Sequence, residues 1–121
     1  YLCQMQHAEG GWGGAAEGTA TVEETSNATS ALAAYLKSGG KLPHAKDAIS
    51  RGITWIINAT KGGTYFPPSP IGLYFARLWY YEAIYPVLWA LGALQRAAAV
   101  LEDQTNLATR DFPRRNESMM E

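Results

Sequence analysis

One cysteine, Cys3, in 121 residues excludes an internal disulfide and leaves the redox compartment undetermined. Charge is equally sparse. Ten Lys and Arg against eleven Asp and Glu leave a net charge of −1, and the basic residues are too few and too scattered for a phosphate-binding footprint, so no nucleic-acid partner is expected. Long apolar runs are missing too. The longest, Ala83 to Leu94, has twelve residues and stops at Gln95 and Arg96, short of the roughly 20 that span a bilayer, so no transmembrane helix is expected. No segment shows the two-residue alternation of a half-buried strand, which makes the expected class all-α. The only histidines, His7 and His44, form no metal-ligand spacing with Cys3, so no metal is expected. Serine nucleophile elbows, phosphate loops and dinucleotide fingerprints are also lacking.

What the chain does have is aromatic. From Phe66 to Pro86, seven rings fall within twenty-one residues, and four prolines bracket the segment. Ser69 before Pro70 reads as an N-cap and first helical position, because proline lacks the donor that a helix start leaves unpaired. A helix from there would align Tyr74, Leu78, Tyr81 and Tyr85 in one stripe, with Phe75, Trp79 and Glu82 on the next. Such a stripe either fills a core or lines an apolar cavity whose ring faces stabilise a cation. Pro86 should kink or restart that helix, which is expected to continue to about Leu101.

The length and a 47% hydrophobic content suit one small domain and not two. The chain opens on Tyr1 without a start methionine or signal sequence, and YLCQMQ reads like the last turns of a helix, which predicts a piece of a longer protein. After a turn from Gly10 to Gly18, Thr21 and Glu24 have capping-box spacing, and Ala28, Ala31, Leu32, Tyr35 and Leu36 form an apolar helical face. Ser38-Gly39-Gly40 stops that helix. A third begins near Pro43, buries Ile49, Ile53, Trp55, Ile56 and Ile57, and stops at Gly62-Gly63. From Glu102 the composition turns polar, so residues 102–121 are expected to be a disordered tail behind a domain of residues 1–101. Two of three glycosylation sequons, at Asn27 and Asn58, fall inside predicted helices.

The glycine turns repeat. Gln6, Gly10 and Trp12 stand 53 residues before Ala59, Gly63 and Tyr65, so a helix ending in glycine, a spacer and an aromatic occurs twice with a helix pair per period. Such periods suggest helical hairpins stacked into a solenoid or closed ring.

The element Gln6-His7-Ala8-Glu9-Gly10-Gly11-Trp12 fits the QW repeat, and the chain resembles squalene-hopene cyclases and other class II triterpene cyclases. A glutamine at a helix end can bond unpaired backbone groups, glycines permit the turn, and tryptophan can stack over the junction. Further likeness lies in TVEETSNATSALAA, in Arg51-Gly52 with ITWI, and in FPPSPIGLYFARLWYYEAIYPVLWALGAL with its Y-P step. It extends over about residues 1 to 100. The second QW unit is degenerate, with Ala59 for glutamine and Tyr65 for tryptophan, and Asn27 stands where many relatives carry an apolar residue.

The resemblance implies an α/α-barrel toroid of helical hairpins, here its C-terminal part, in a protonation-initiated cyclase that needs no cofactor and converts squalene or a related polyprene into polycyclic triterpenes. It places Tyr74, Leu78 and Tyr81 on the substrate cavity and gives Gln6, Gly10 and Trp12 a structural role. The family's D-x-D-D acid is absent; Asp47, Asp103 and Asp111 are isolated, so no catalytic residue is expected in this chain. Implied partners are a polyprenyl lipid, the upstream part of the same polypeptide and a second copy in a homodimer. The implied location is the cytoplasmic side of a membrane, monotopic or peripheral. The alternative is a non-catalytic helical-repeat binding or structural module that keeps the toroid scaffold without the acid.

Overall fold

The structure is a computed structural model that describes residues 1–73 and 77–110, with only the helical backbone for residues 103–110. Helix α1 spans Leu2–Met5, α2 Val22–Lys37, α3 Ala45–Ala59 and α4 Tyr85–Arg110; strands β1, Ile71–Leu73, and β2, Leu78–Tyr80, lie between α3 and α4. Among the described residues helix predominates and strand is confined to two three-residue segments, so the class is mostly helical.

The capping signal at Thr21 is realised in a modified form. Thr21 Oγ1 accepts from the Glu24 amide at 3.1 Å and donates to Glu24 Oε2 at 2.9 Å. The Thr21 amide, which a capping-box glutamate usually takes, goes instead to the Trp12 carbonyl at 3.1 Å. Glu23 and Glu24 in the first turn and Lys37 in the last complement the helix dipole. At the far end, Gly39 donates to Leu36 and Gly40 to Tyr35, the bond pair of a Schellman cap. Helix α3 begins at Ala45, after Pro43 and after His44, which adopts a left-handed conformation.

Helix α2 touches both α3 and α4, which also meet each other. It is therefore buried over more of its circumference than one amphipathic stripe requires. Val22, Ala28, Leu32 and Ala33 are buried, as are Glu23, Thr25, Ser26 and Thr29. Ala31 and Tyr35, expected on the apolar face, are exposed. On α3, Ile49 and Ile56 are buried, Ile53 and Trp55 partly so, and Ile57 is exposed. The inward stripe of α4 is Ala90, Ala93, Ala97 and Val100. Small residues on both α2 and α4 let the two backbones approach closely.

The segment after Ser69 departs from the sequence reading. No helix starts at Pro70. Ile71–Leu73 and Leu78–Tyr80 pair antiparallel, with Ile71 opposite Tyr80, Gly72 opposite Trp79 and Leu73 opposite Leu78. The all-α expectation is corrected to this extent. Three prolines at 67, 68 and 70 hold the approach extended, and the β-prone Ile71, Trp79 and Tyr80 fall within the two strands, so local preference favours strand there. Pro86 neither kinks nor interrupts a helix. It is buried in the first turn of α4, where its missing donor costs no intrahelical bond. Helix α4 then runs past Leu101 to Arg110. Residues 111–121 of the expected tail lie outside the described residues.

Candidate functional site: a tryptophan corner and an aromatic hairpin

The first glycine turn is tied to α3 through side chains from both. Gln6 Nε2 donates to the Gly10 carbonyl at 2.8 Å and to the Ala48 carbonyl of α3 at 2.9 Å. Its Oε1 accepts from Arg51 Nη1 at 3.2 Å, so both ends of the amide are engaged. Arg51 Nη2 reaches the carbonyls of His7 at 3.1 Å and Ala8 at 3.0 Å. One glutamine and one arginine thus satisfy the carbonyls of a turn that has no secondary structure of its own.

Trp12 closes the corner. It is 3% exposed, and its indole Nε1 donates to the Leu2 carbonyl of α1 at 2.9 Å. Its backbone amide donates to Thr25 Oγ1 at 2.9 Å, and Thr25 Oγ1 donates back to its carbonyl at 3.3 Å. Two glycines make room for α3 at the corner. Gly10 has φ +102°, and a Cβ on it would stand 2.7 Å from the Arg51 carbonyl oxygen. On Gly52 a Cβ would stand 2.9 Å from Trp12 Cζ3 and 2.6 Å from Thr29 Oγ1. Of the three residues assigned to the motif, Gln6 and Gly10 are bonded directly, and Trp12 follows two residues on, held by Leu2 and Thr25. Arg51 and Gly52 were legible only as part of the family likeness; their contacts join residues far apart in the chain.

The residues assigned to a cavity stand elsewhere. Leu78 is exposed on β2, and Tyr81 comes just after that strand with 62% of its surface exposed. Tyr74 lies outside the described residues. The helical stripe expected to join these positions with Tyr85 does not form; Tyr85 is in α4 and stacks on Trp89 at 5.1 Å. Trp79, 70% exposed, stands over Gly72 across the hairpin, with its ring carbons 3.1 Å from the site of a Cβ there. Beyond the hairpin, Ile84, just before α4, and Leu88 and Leu91 on its outward side recur at i, i+4 and i+7, all exposed.

A groove of about 340 Å³ beside the corner is lined by residues that include Tyr1, Leu2, Trp12, Glu24 and Asn27. A second, of about 310 Å³, lies between α2 and α4 with Lys37 and Arg96 in its wall. Among the described residues no three or more of His, Cys, Asp and Glu are grouped to hold a metal ion, and no helix is long and apolar enough to cross a membrane.

Compared with family models, with curated proteins and with solved structures, the chain matches none.

Proposed function

We propose that this chain is the C-terminal part of a class II terpene cyclase acting on squalene or a related polyprene, with the protonating acid on another part of the polypeptide. The observation that carries this reading is the tryptophan corner. Glutamine, glycine and tryptophan, spaced as in a QW unit, join the end of one helix to the flank of a later one, which is what a stacked helical-hairpin repeat requires. Exposed apolar groups on the hairpin and on α4 support it further, because a ring of hairpins would cover such faces or turn them toward a lipid substrate.

In this reading the cation-facing rings do not lie on one helical stripe. A ring face beside a developing tertiary cation is worth about 2 kcal/mol when water is excluded, enough to favour one cyclisation route tenfold or more. Tyr74 and Tyr81 would supply such faces and Leu78 part of the wall. The scaffold-only alternative draws on one observation: Leu78 and Tyr81 are open to solvent, and neither lines the two grooves described.

The test is to incubate the complete protein with squalene and analyse the products. The cyclase reading expects polycyclic triterpenes and a changed product distribution in Tyr81→Ala. A complete protein that lacks D-x-D-D and returns squalene unchanged leaves the scaffold reading in its place.

A further inference from the structure

Four residues, Pro67-Pro68-Ser69-Pro70, lead from the second glycine turn into the aromatic hairpin. Proline has no amide proton, so this strap offers a single backbone donor, that of Ser69. The donor is taken. The Ser69 amide donates to Glu23 Oε2 at 2.8 Å, across 46 residues of sequence. Glu23 sits in the first turn of α2 and is 3% exposed. A buried carboxylate is a costly anchor, and it holds only where its charge is met by hydrogen bonds. Its other oxygen, Oε1, has no partner among the described residues, where the Ser69 amide is the one side-chain-directed donor that Glu23 has.

The strap is also stiff. Proline fixes φ, and residues before proline are confined to extended backbone, so the run moves as a short rod. A rod bonded at one point to α2 transmits the position of that point to the hairpin at its end. On the near side Phe66 packs against the cluster of Val22, Ile56, Ala90 and Ala93, and on the far side of the hairpin Pro86 is buried. Between these, Trp79 and Tyr81 project into solvent.

We infer that Glu23 is a positioning residue: its bond to Ser69 is the latch that sets where the aromatic hairpin stands. Deepening the cyclase reading, on which this consequence rests, the latch would fix which carbon of a polyprene the hairpin rings face. Glu23 itself touches no reacting atom.

The experiment monitors the backbone amides of the ¹⁵N-labelled chain by NMR. Glu23→Ala is expected to move the Ser69 amide resonance upfield and to speed hydrogen exchange at Ser69 and in the β1–β2 hairpin by about tenfold or more, with α3 unchanged. Ser69→Pro removes the donor and leaves the carboxylate, and should loosen the hairpin by a similar factor. Glu23→Gln keeps an acceptor and should fall between wild type and Glu23→Ala. If Glu23→Ala also speeds exchange throughout α3, Ser69→Pro decides: a hairpin that stays as protected as wild type in that variant overturns the latch. In Glu23→Ala, a rise confined to Ser69 and the hairpin upholds it. In the complete protein, Glu23→Ala should shift the product distribution with turnover retained. Loosened amides in a protein that cyclises nothing would sink the cyclase reading and leave the latch standing.

Discussion

The two glycine turns begin alike in sequence and end differently in space. In the first, Trp12 is 3% exposed and the turn is bonded to α3 through Gln6 and Arg51. In the second, Tyr65 is 52% exposed, and its ring is met by its neighbour Lys61, whose Nζ is 5.0 Å from the ring centroid. Gly10 and Gly63 both have positive φ, but a Cβ on Gly10 would strike the Arg51 backbone while one on Gly63 would meet nothing within 4 Å. The same local chemistry becomes a structural corner only where a later helix arrives to receive it. Among the described residues, side chains tie the first turn to α3 through Gln6 and Arg51, whereas the hydrogen bonds of the second turn stay within it and the end of α3, although Ala59 and Phe66 pack near α4.

The sharpest way to break this contrast is Trp12→Ala. The change removes a buried indole together with its bond to Leu2, and cavity plus transfer terms put the loss at about 3–5 kcal/mol by equilibrium denaturation. A loss under about 1 kcal/mol would mean that the first turn is no more structural than the second. Gly52→Ala probes the same contact from α3. Its Cβ would lie 2.9 Å from Trp12 and 2.6 Å from Thr29, so overpacking should cost about 1–3 kcal/mol, and Trp12 fluorescence should report the displaced ring.

These partners explain what was legible beforehand. Gln6, Gly10 and Trp12 declare themselves because their spacing is local, and the Thr21–Glu24 cap because it spans one helical turn. The hairpin was illegible for the opposite reason. Tyr74, Leu78, Tyr81 and Tyr85 have helical spacing, and only tertiary cover decides whether a stripe of that kind is realised; Leu78 and Tyr81 stand exposed, and around Leu78 the chain is extended. Glu23 was equally hidden. A glutamate in a first helical turn looks like dipole compensation, and its bond to Ser69 arises from a contact 46 residues away.

A smaller effect separates shape from bonding at the corner. Gln6→Ala should cost about 1–2 kcal/mol, since it leaves the part-buried Gly10 carbonyl unpaired, and Arg51→Ala about 0.5–1 kcal/mol, since its bonds to His7 and Ala8 are exposed and the His7 carbonyl keeps the Gly10 amide. The double variant should fall short of the sum, because the Gln6–Arg51 bond is lost in either single change. Strict additivity in a denaturation series would show that the two side chains act on the turn independently.

At the second turn the expected sign reverses. Lys61 closes α3 in the left-handed position that glycine usually fills, with φ 50°, while its amide bonds Asn58 and the Gly62 amide bonds Ile57. Lys61→Gly should relieve the Cβ strain and stabilise the chain by about 0.5–1 kcal/mol, less whatever the exposed cation–π contact contributes.

Tyr65→Ala should do least of all. The ring is half exposed, its partner is a flexible lysine, and among the described residues no hydrogen bond from its side chain ties the turn to another element, so the change should stay within about 0.5 kcal/mol in the same denaturation assay. The measurement discriminates because Tyr65 and Trp12 hold corresponding places in the two glycine-turn sequences. A cost approaching that of Trp12→Ala would require a surface in solution that receives Tyr65, one that no described residue provides. Repeating the measurement over a range of protein concentrations then identifies that surface: a cost that grows with concentration assigns it to a second copy, and a constant one to the chain itself.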